Sequence, residues 1–460
     1  MTDSILILGG GLAGLTAAIQ CAETGARAIV VEHDAVVGGR LAAAMTRKSS
    51  VGDDIDGVPV PKLDALLEAP NIEILTLADL QEIEGRPGNF DVSIRERARF
   101  VTDDCTLCNH CRPVCPVVLP NEHDAGLSYR KAIYAPLPET LPPEFVIDID
   151  ACLNKPPNYL PCNHCTEVCD DDAIHFDVPL EHLHNRQVGA VILSTGFGVA
   201  TDGSAEQRGY GKHPDVVTMA EMERLLTAPG PTGGFAARPS DEEYPNSVLY
   251  VVNELAPFAA HTAASQIGRL IAQDVTRIAL LVTNQPGDDE QTSLLQTLPK
   301  GLTVNHGLLQ KVEARADKRL TVTYADFASS RVPEEQYDMV VLGSDIRPAS
   351  GLEELAQIIG CDLADTGYIA RPDSDSPCAT SRPGVYVAGG AAGPAIHESA
   401  VEQARAAASA ALTHLDARLL GADYASGGQP EVRPGTVGVS EEEVRARIER
   451  ALFAMLDGAG

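Results

Sequence analysis

The chain has 460 residues, 44% of them hydrophobic, and a formal net charge of −30 at pH 7. This length allows two or three domains around a large buried core. The acidity argues against nucleic-acid binding, which needs clustered Lys and Arg. No apolar run reaches the roughly 20 residues of a membrane helix. The N-terminus has no basic segment or cleavage-like site, so we expect a cytoplasmic protein without a membrane span.

The first 32 residues predict a dinucleotide-binding βαβ unit. A strand-like run over residues 4–8 leads into a G-x-G-x-x-G turn and an apolar helix, and a second strand ends at Glu32. Such glycines permit a tight turn, close approach of a pyrophosphate and close helix–strand packing. Glu32 can accept hydrogen bonds from a ribose, which favours FAD or NAD over NADP; the alternative is a glycine turn without a ligand. The expected cofactor contacts in the turn are Gly9, Gly11, Leu12, Ala13 and Gly14.

The next residues favour FAD. Residues 37–41, VGGRL, resemble the second glycine motif of two-domain flavoproteins such as thioredoxin reductase. In that family the motif lies along the FAD, so the resemblance implies that Gly39, Arg40 and Leu41 contact this cofactor. The alternative is a turn after the second strand.

Eight of the eleven cysteines lie between Cys105 and Cys169, which in a reducing compartment favours metal binding over disulfides. The first four have the C-x2-C-x2-C-x3-C spacing of bacterial ferredoxins, followed by a proline, and predict a [4Fe–4S] cluster. They are Cys105, Cys108, Cys111 and Cys115.

A second set, Cys152, Cys162, Cys165 and Cys169, looks like an internal repeat of the first. In the pseudo-twofold arrangement of a ferredoxin, Cys169 would join the first three cysteines of set one, and Cys115 would join the first three of set two. The stretched first spacing and Asp170 in place of the usual proline leave the second cluster open. The neighbouring His110 and His164 are either ligands or solvent-side groups that hydrogen-bond sulfur.

Residues 188–197 predict a buried strand that returns the chain to the FAD domain, with Thr195 and Gly196 at its end. A second α/β unit starts at residues 247–252, but the turn after it, residues 253–258, contains no glycine. The next strand ends without a ribose-binding acid or an arginine. We therefore expect that the nicotinamide site is lost and that no NAD(P) binds.

The stretch 380–412 resembles a C-terminal FAD motif, in which a strand ending in Ala-Gly opens a helix aimed at the flavin. Many relatives have Asp after this glycine, whereas this chain has Gly390, so backbone N–H groups are expected to replace the carboxylate. The expected contacts are Gly389, Gly390 and Ala391. A capping box at Ser440 and Glu443 predicts a final amphipathic helix.

The predicted fold is α/β: a thioredoxin-reductase-like flavoprotein with two dinucleotide-type domains and an inserted ferredoxin-like iron–sulfur module. The segments are 1–100 and 179–235 for the first two parts of the FAD domain, 101–178 for the module, 236–350 for the nicotinamide-like unit, 351–420 for the last FAD part, and 421–460 for a linker and helix.

This order of parts resembles the heterodisulfide reductase A-type subunit, over most of residues 1–415. The cysteine stretch 105–138, residues 210–226 and residues 385–399 carry the resemblance. The methanogenic subunits have an extra N-terminal domain and a C-terminal ferredoxin domain, neither of which we expect in this protein. They also tend to have cysteines where this chain has none, at residues 49–58 and 253–263. The short form is similar to the A-type subunit of the heterodisulfide-reductase-like complexes of sulfur-oxidising prokaryotes.

The resemblance implies an oxidoreductase subunit that passes electrons between FAD and [4Fe–4S], in the oxidation of sulfane sulfur. It implies B- and C-type partner subunits, which would carry the sulfur chemistry, and indirectly a lipoate-binding protein; we also expect a homodimer. No acid, base or nucleophile is assigned. The alternatives are a flavin-bifurcating subunit of the methanogen type and an NAD(P)H-dependent enzyme like the small subunit of glutamate synthase.

Overall fold

The computed structural model describes residues 4–41, 54–55, 58–59, 66, 69–137, 141–155, 160–200, 203–228, 230–252, 257–283, 302–329, 331–343, 345–372 and 376–419. The glycine-free turn after residue 252 lies outside these residues from 253 to 256. The predicted C-terminal helix after Ser440 also lies outside them.

The strands, in chain order, are β1 (Ser4–Leu8), β2 (Arg27–Val31), β3 (Asp54–Ile55), β4 (Val58–Pro59), β5 (Ile72–Leu75), β6 (Ala78–Arg86), β7 (Asn89–Arg97), β8 (Leu119–Pro120), β9 (Tyr129–Arg130), β10 (Ile133–Tyr134), β11 (Val146–Ile147), β12 (Glu181–Val188), β13 (Ala190–Leu193), β14 (Phe197–Ala200), β15 (Val216–Thr218), β16 (Ser247–Val252), β17 (Arg277–Val282), β18 (Thr303–Ala314), β19 (Leu320–Asp326), β20 (Glu334–Tyr337), β21 (Met339–Leu342), β22 (Asp345–Pro348) and β23 (Val385–Val387). The helices are α1 (Leu12–Glu23), α2 (Cys111–Val114), α3 (His164–Glu167), α4 (Gly203–Gln207), α5 (Met219–Leu225), α6 (Pro257–Ala272), α7 (Leu352–Ile359) and α8 (His397–Leu419). Short 3₁₀ turns occur at Gly39–Leu41, Glu122–Asp124 and Gly389–Ala392.

The first unit is built on a parallel sheet of five strands, in the order β23-β13-β1-β2-β5. Its central strands read as near-continuous apolar runs, as expected for parallel strands that are buried on both faces. Helices α1 and α8 cover one face and meet through small side chains, including Ala17, Ala18, Ala404 and Ala408. The antiparallel sheet β12-β7-β6 and helix α7 cover the other face.

The second unit has a seven-stranded sheet in the order β15-β21-β16-β17-β18-β19-β20. The pairs from β15 to β18 are parallel, and β18, β19 and β20 pair antiparallel. Residues of β15 and α5 pack with this sheet, although the predicted FAD-domain segment runs to residue 235. The domain limits themselves stay predictions.

The cysteine segment lies between β7 and β12 and consists of short strands and one-turn helices. It has a small core of its own, in which Phe100, Ile133, Phe145 and Ala173 pack with the cysteines. The two sheets with their covering helices confirm the predicted α/β class. No helix among the described residues combines the length and apolarity needed to cross a membrane.

Candidate functional site

The glycine turn after β1 is tightly packed at its first and third glycines. Gly9 has a left-handed φ of +104°, and a Cβ there would lie 2.4 Å from the carbonyl oxygen of Ser194. A Cβ on Gly14 would lie 1.9 Å from the carbonyl oxygen of Gly9. Neither position therefore accepts a side chain, because the neighbouring strand β13 and the start of α1 press against the turn.

Gly11 differs, because a Cβ there would meet nothing closer than the Cα of Gly39 at 4.0 Å. Helix α1 starts at the next residue and has no acidic side chain in its first turn. The first N–H groups of a helix carry partial positive charge and bind phosphates well. The open space over Gly11 at this helix end therefore fits the pyrophosphate of a dinucleotide.

The second glycine motif lies against the first. The N–H of Gly38 donates to the carbonyl oxygen of Gly10 at 2.7 Å, and Gly38 forms a parallel bridge with Gly11. The Arg40 guanidinium stands over the Phe197 ring, 4.5 Å from its centroid. The two motifs and the chain after β13 thus meet at one place.

Leu12 and Ala13, the other two contacts predicted in the turn, are both buried. Leu12 packs with Leu41 and with Val401 of α8. These apolar side chains hold the second glycine motif and α8 on the first turn of α1.

Glu32 directly follows β2 and is buried. One carboxylate oxygen accepts the N–H of Gly10 at 2.7 Å, and the other accepts the N–H of Asp34 at 2.9 Å. Burial raises the pKa of Glu32 above its usual value. The carboxylate therefore already touches the glycine turn, at the end of the second strand where a ribose-binding acid is expected.

The chain after β23 returns to the same place. A Cβ on Gly389 would lie 2.9 Å from the Cβ of Ala13, and one on Gly390 would lie 2.6 Å from the Phe197 ring. The N–H of Gly389 donates to the Gln403 side chain at 3.0 Å. Ala391 is fully buried in the core beneath the sheet.

The predicted start of the following helix is wrong. The structure has only a 3₁₀ turn at Gly389–Ala392, and α8 begins at His397. Gly393 has φ +138°, which favours glycine and ends the turn. Pro394 follows, and since its ring restricts the residue before it, the chain cannot continue as a helix. The N-terminus of α8 thus lies eight residues beyond Gly389.

Thr195 and Gly196 follow β13 beside this cluster. The Thr195 hydroxyl is buried and has no hydrogen-bond partner among the described residues, whereas nearly all buried polar groups have one. Gly196 has φ +70°, and a Cβ there would meet nothing within 4 Å. The orphaned hydroxyl next to open space fits a site that a polar ligand completes. The 14 predicted FAD contacts stay predictions.

The eight cysteines line two separate cavities. One cavity is lined by Cys105, Cys108, Cys111 and Cys169. The other is lined by Cys115, Cys152, Cys162 and Cys165. Each cavity thus takes three cysteines from one motif and one from the other, and Ile133 contributes to the wall of both.

The donor set of each cavity fits a [4Fe–4S] cluster. Four sulfur donors and an otherwise largely apolar wall are typical of [4Fe–4S] sites. Burial raises the pKa of the Cys111 thiol to about 12 and that of Cys165 to about 11, so metal binding would have to release protons from them.

The two histidines lie at the rims of the cavities. His110 lines the first cavity and His164 the second, and both side chains are largely exposed. The His110 ring lies 3.7 Å from the Asp170 carboxylate. Each cavity already has four cysteines, so the arrangement favours the solvent-side role for both histidines.

Sequence reasoning missed several residues of the glycine-turn site. Ser194 donates its hydroxyl hydrogen to the carbonyl oxygens of Leu8 and Gly9, at 3.0 and 2.9 Å. Gln403 accepts from Gly389, and Phe197 supports both Arg40 and Gly390. Gln403 could have been noticed as a polar residue in the alanine-rich helix, whereas nothing local marks Ser194 or Phe197.

Comparison with known proteins adds family information. Residues 4–50 match the family model described as an FAD binding domain. The A-type subunit of the H(2):CoB-CoM heterodisulfide,ferredoxin reductase of Methanothermobacter marburgensis is 32% identical over 433 residues, which cover 89% of this chain and 63% of that protein. The A-type iron-sulfur subunit of the CoB--CoM heterodisulfide reductase of Methanocaldococcus jannaschii is 30% identical and covers 88% of this chain and 63% of that protein. The chain spans less than two-thirds of the length of these relatives.

Solved structures with a similar course of the chain include thioredoxin reductase from Lactococcus lactis. It has a TM-score of 0.46 and 12% identity, with coverage of 90% of this chain and 99% of that one. The NAD-dependent persulfide reductase from A. fulgidus has a TM-score of 0.45 and 15% identity, with coverage of 95% and 61%.

Proposed function

The chain belongs to the heterodisulfide reductase A-type family of subunits, and on that premise we propose that it is an electron-transfer subunit with FAD and two [4Fe–4S] clusters. The observation that carries the proposal is the pair of cavities, each with four cysteines, in a chain that also has an open dinucleotide-type glycine turn. FAD accepts electrons in pairs or singly and an iron–sulfur cluster carries them singly, so the two together would join both kinds of chemistry.

This chain's residues would bind and orient these groups. The N–H groups at the start of α1 and the space over Gly11 would receive the pyrophosphate, and Glu32 would receive the ribose. The cysteines of each cavity would hold one cluster. We assign no residue to acid, base or nucleophilic catalysis.

The proposed context is a heterodisulfide-reductase-like complex in the cytoplasm that oxidises sulfane sulfur. B- and C-type subunits would carry the sulfur chemistry, a lipoate-binding protein would take part indirectly, and the chain would form a homodimer. The curated relatives are named as subunits of CoB–CoM heterodisulfide reductases, which supports a multisubunit complex. The lack of cysteine at residues 49–58 and 253–263 favours the sulfur-oxidising form over the methanogenic one.

Anaerobic purification, followed by iron–sulfur reconstitution, tests the cofactors. We expect one FAD and about eight irons per chain, two [4Fe–4S] clusters held by eight cysteines. A colourless protein, or one with a single cluster, would contradict the proposal.

The absence of a nicotinamide site needs a separate measurement. We expect that NADH and NADPH leave the flavin absorbance unchanged under anaerobic conditions, while dithionite bleaches it. Bleaching by either nicotinamide would favour the enzyme of the glutamate-synthase type instead.

A second candidate is a flavin-bifurcating subunit. The name of the Methanothermobacter marburgensis relative, a heterodisulfide,ferredoxin reductase, favours it. The test is ferredoxin reduction by the purified complex, coupled to reduction of a disulfide acceptor. Coupled reduction of both acceptors would support bifurcation over simple electron transfer.

A further inference from the structure

A buried ion pair joins the cysteine segment to the second α/β unit. Arg224 on α5 donates from Nη2 and Nε to Oδ1 of Asp124, at 2.8 and 3.2 Å. The two side chains are 10% and 12% exposed. The partners are 100 residues apart in the sequence, so this contact exists only when the two parts of the chain are docked.

The Asp124 carboxylate is held on its other side as well. Its Oδ2 accepts from the Asn121 amide at 2.8 Å and from the Ser128 hydroxyl. Leu127, in the same loop, packs against the core of the second unit beside α5. The loop therefore presents a rigid acceptor and an apolar anchor to one face of that unit.

A chain of hydrogen bonds continues from this loop to the second cavity. Arg130 donates to Glu122 at 2.6 Å and to Asp148 at 2.8 Å. The carbonyl oxygen of Asp148 accepts the N–H of Cys152 at 2.9 Å. Glu122 and Asp124 lie in the same 3₁₀ turn, so the ion pair and Cys152 belong to one connected network.

The opposite side of the cysteine segment is fastened to the first unit. Arg99 donates to the Thr76 hydroxyl at 2.9 Å and also to the carbonyl oxygen of Ala35. The N–H of Val37, next to the second glycine motif, donates to the carbonyl oxygen of Leu141 at 3.0 Å. The segment is thus attached at two places, one near the glycine turns and one on the second unit.

We propose that Arg224 and Asp124 are positioning residues for electron transfer. They hold the cysteine segment against the second unit, so that the two cavities keep a constant separation from the glycine-turn site. This inference rests on the proposed function, since it concerns electron transfer between the groups at those sites. Removing one partner of a buried ion pair leaves an unpaired charge, which weakens docking strongly.

The test compares the reconstituted parent protein with Arg224→Met and with Arg224→Lys, which keeps the charge. Hydrogen–deuterium exchange reports docking. A light flash in the presence of a sacrificial amine donor reduces the flavin, and the recovery of flavin absorbance then reports the rate of its oxidation by the clusters. In Arg224→Met we expect faster exchange in residues 119–134 and α5, unchanged exchange in α1, and a rate reduced about tenfold, equivalent to ~1.4 kcal/mol. Arg224→Lys should restore part of the protection from exchange and part of the electron-transfer rate.

The control is Arg238→Met, which breaks a partly buried Arg–Asp pair, Arg238 with Asp241 at 2.7 Å, inside one loop of the second unit. It should leave the exchange of residues 119–134 and the transfer rate as in the parent. Asp124→Asn, which preserves size, repeats the test if Arg224→Met does not accumulate.

Full FAD and iron content with the parent rate and parent exchange in Arg224→Met or Asp124→Asn would overturn the inference. Equal slowing by Arg238→Met would also overturn it, because the effect would then be general destabilisation. If the parent itself passes no electrons from flavin to cluster, the proposed function fails. The exchange data then still decide whether the ion pair docks the segment.

Discussion

The glycine turn allows ligand binding and folding to be separated by two single substitutions. Gly11→Ala places a methyl group in open space, at a residue with an ordinary φ of −80°. Gly11 is also the N-cap of α1, where Ala is less favourable than Gly, so the apoprotein should lose no more than about 1 kcal/mol of stability. The same methyl group occupies the space assigned to the pyrophosphate, and an overpacked contact costs about 1–3 kcal/mol, which corresponds to about 5–150-fold weaker FAD binding.

Gly14→Ala should behave in the opposite way. Its Cβ would lie 1.9 Å from the carbonyl oxygen of Gly9 and 2.7 Å from the Ser194 hydroxyl. Since backbone must move to admit it, we expect the apoprotein to lose about 1–3 kcal/mol or more. Its FAD binding should fall together with folding.

Urea unfolding of the apoproteins and fluorescence titration with FAD measure the two effects. Gly268→Ala is the control, because this exposed helix residue has open space around its Cβ position; it should gain about 0.5–1 kcal/mol and bind FAD as the parent does. A Gly11→Ala protein with parent affinity would refute the assignment of the pyrophosphate to this space. A stable Gly14→Ala protein would refute the packing argument.

Other outcomes follow from the acid and the cysteines. Because burial raises the folded-state pKa of Glu32, the folded protein binds its proton more tightly than the unfolded chain, so stability should fall as pH rises from the unfolded pKa to the folded one. Glu32→Gln should remove this part of the fall, which urea unfolding of both apoproteins from about pH 4 to about pH 7 would detect; parallel curves would contradict it. Cys169→Ser and Cys115→Ser should each lower the iron content by about one cluster and change different EPR signals. Cys361→Ser, at a buried thiol outside both cavities, should keep all the iron, and identical losses in all three variants would count against two separate clusters.

Local patterns predicted the first unit well, because strand, glycine turn and helix follow each other within about 30 residues, the usual length of a βαβ unit. The start of α8 was predicted too early. The resemblance to the C-terminal FAD motif indicated a helix directly after Gly389, although Gly393 and Pro394 are helix breakers that the sequence shows. The four-cysteine grouping of each cavity was expected from the internal repeat. Two motifs with similar local spacing predict a pseudo-twofold arrangement, in which each motif gives one cysteine to the other's cavity.

Contacts between distant side chains could not be predicted in the same way. The Asp124–Arg224 pair spans 100 residues, and no residue near either partner indicates the other. Ser194 and Phe197 contribute to the glycine-turn site only because β13 lies next to β1 in the sheet. The order of strands in a sheet, unlike the position of a strand, depends on packing of the whole chain.

The exchange of cysteines between the two cavities has a consequence for synthesis of the protein. The first motif alone brings only three sulfur donors to its cavity, and the fourth, Cys169, comes 54 residues after Cys115. Neither cavity is complete until the second motif has been made and has folded back. Chains emerge from the ribosome at about 5–20 residues per second, so the first motif waits for several seconds. Iron incorporation should therefore follow translation of the second motif, and a nascent chain stopped before residue 165 should retain no intact cluster, because each cavity then lacks at least one of its four cysteines.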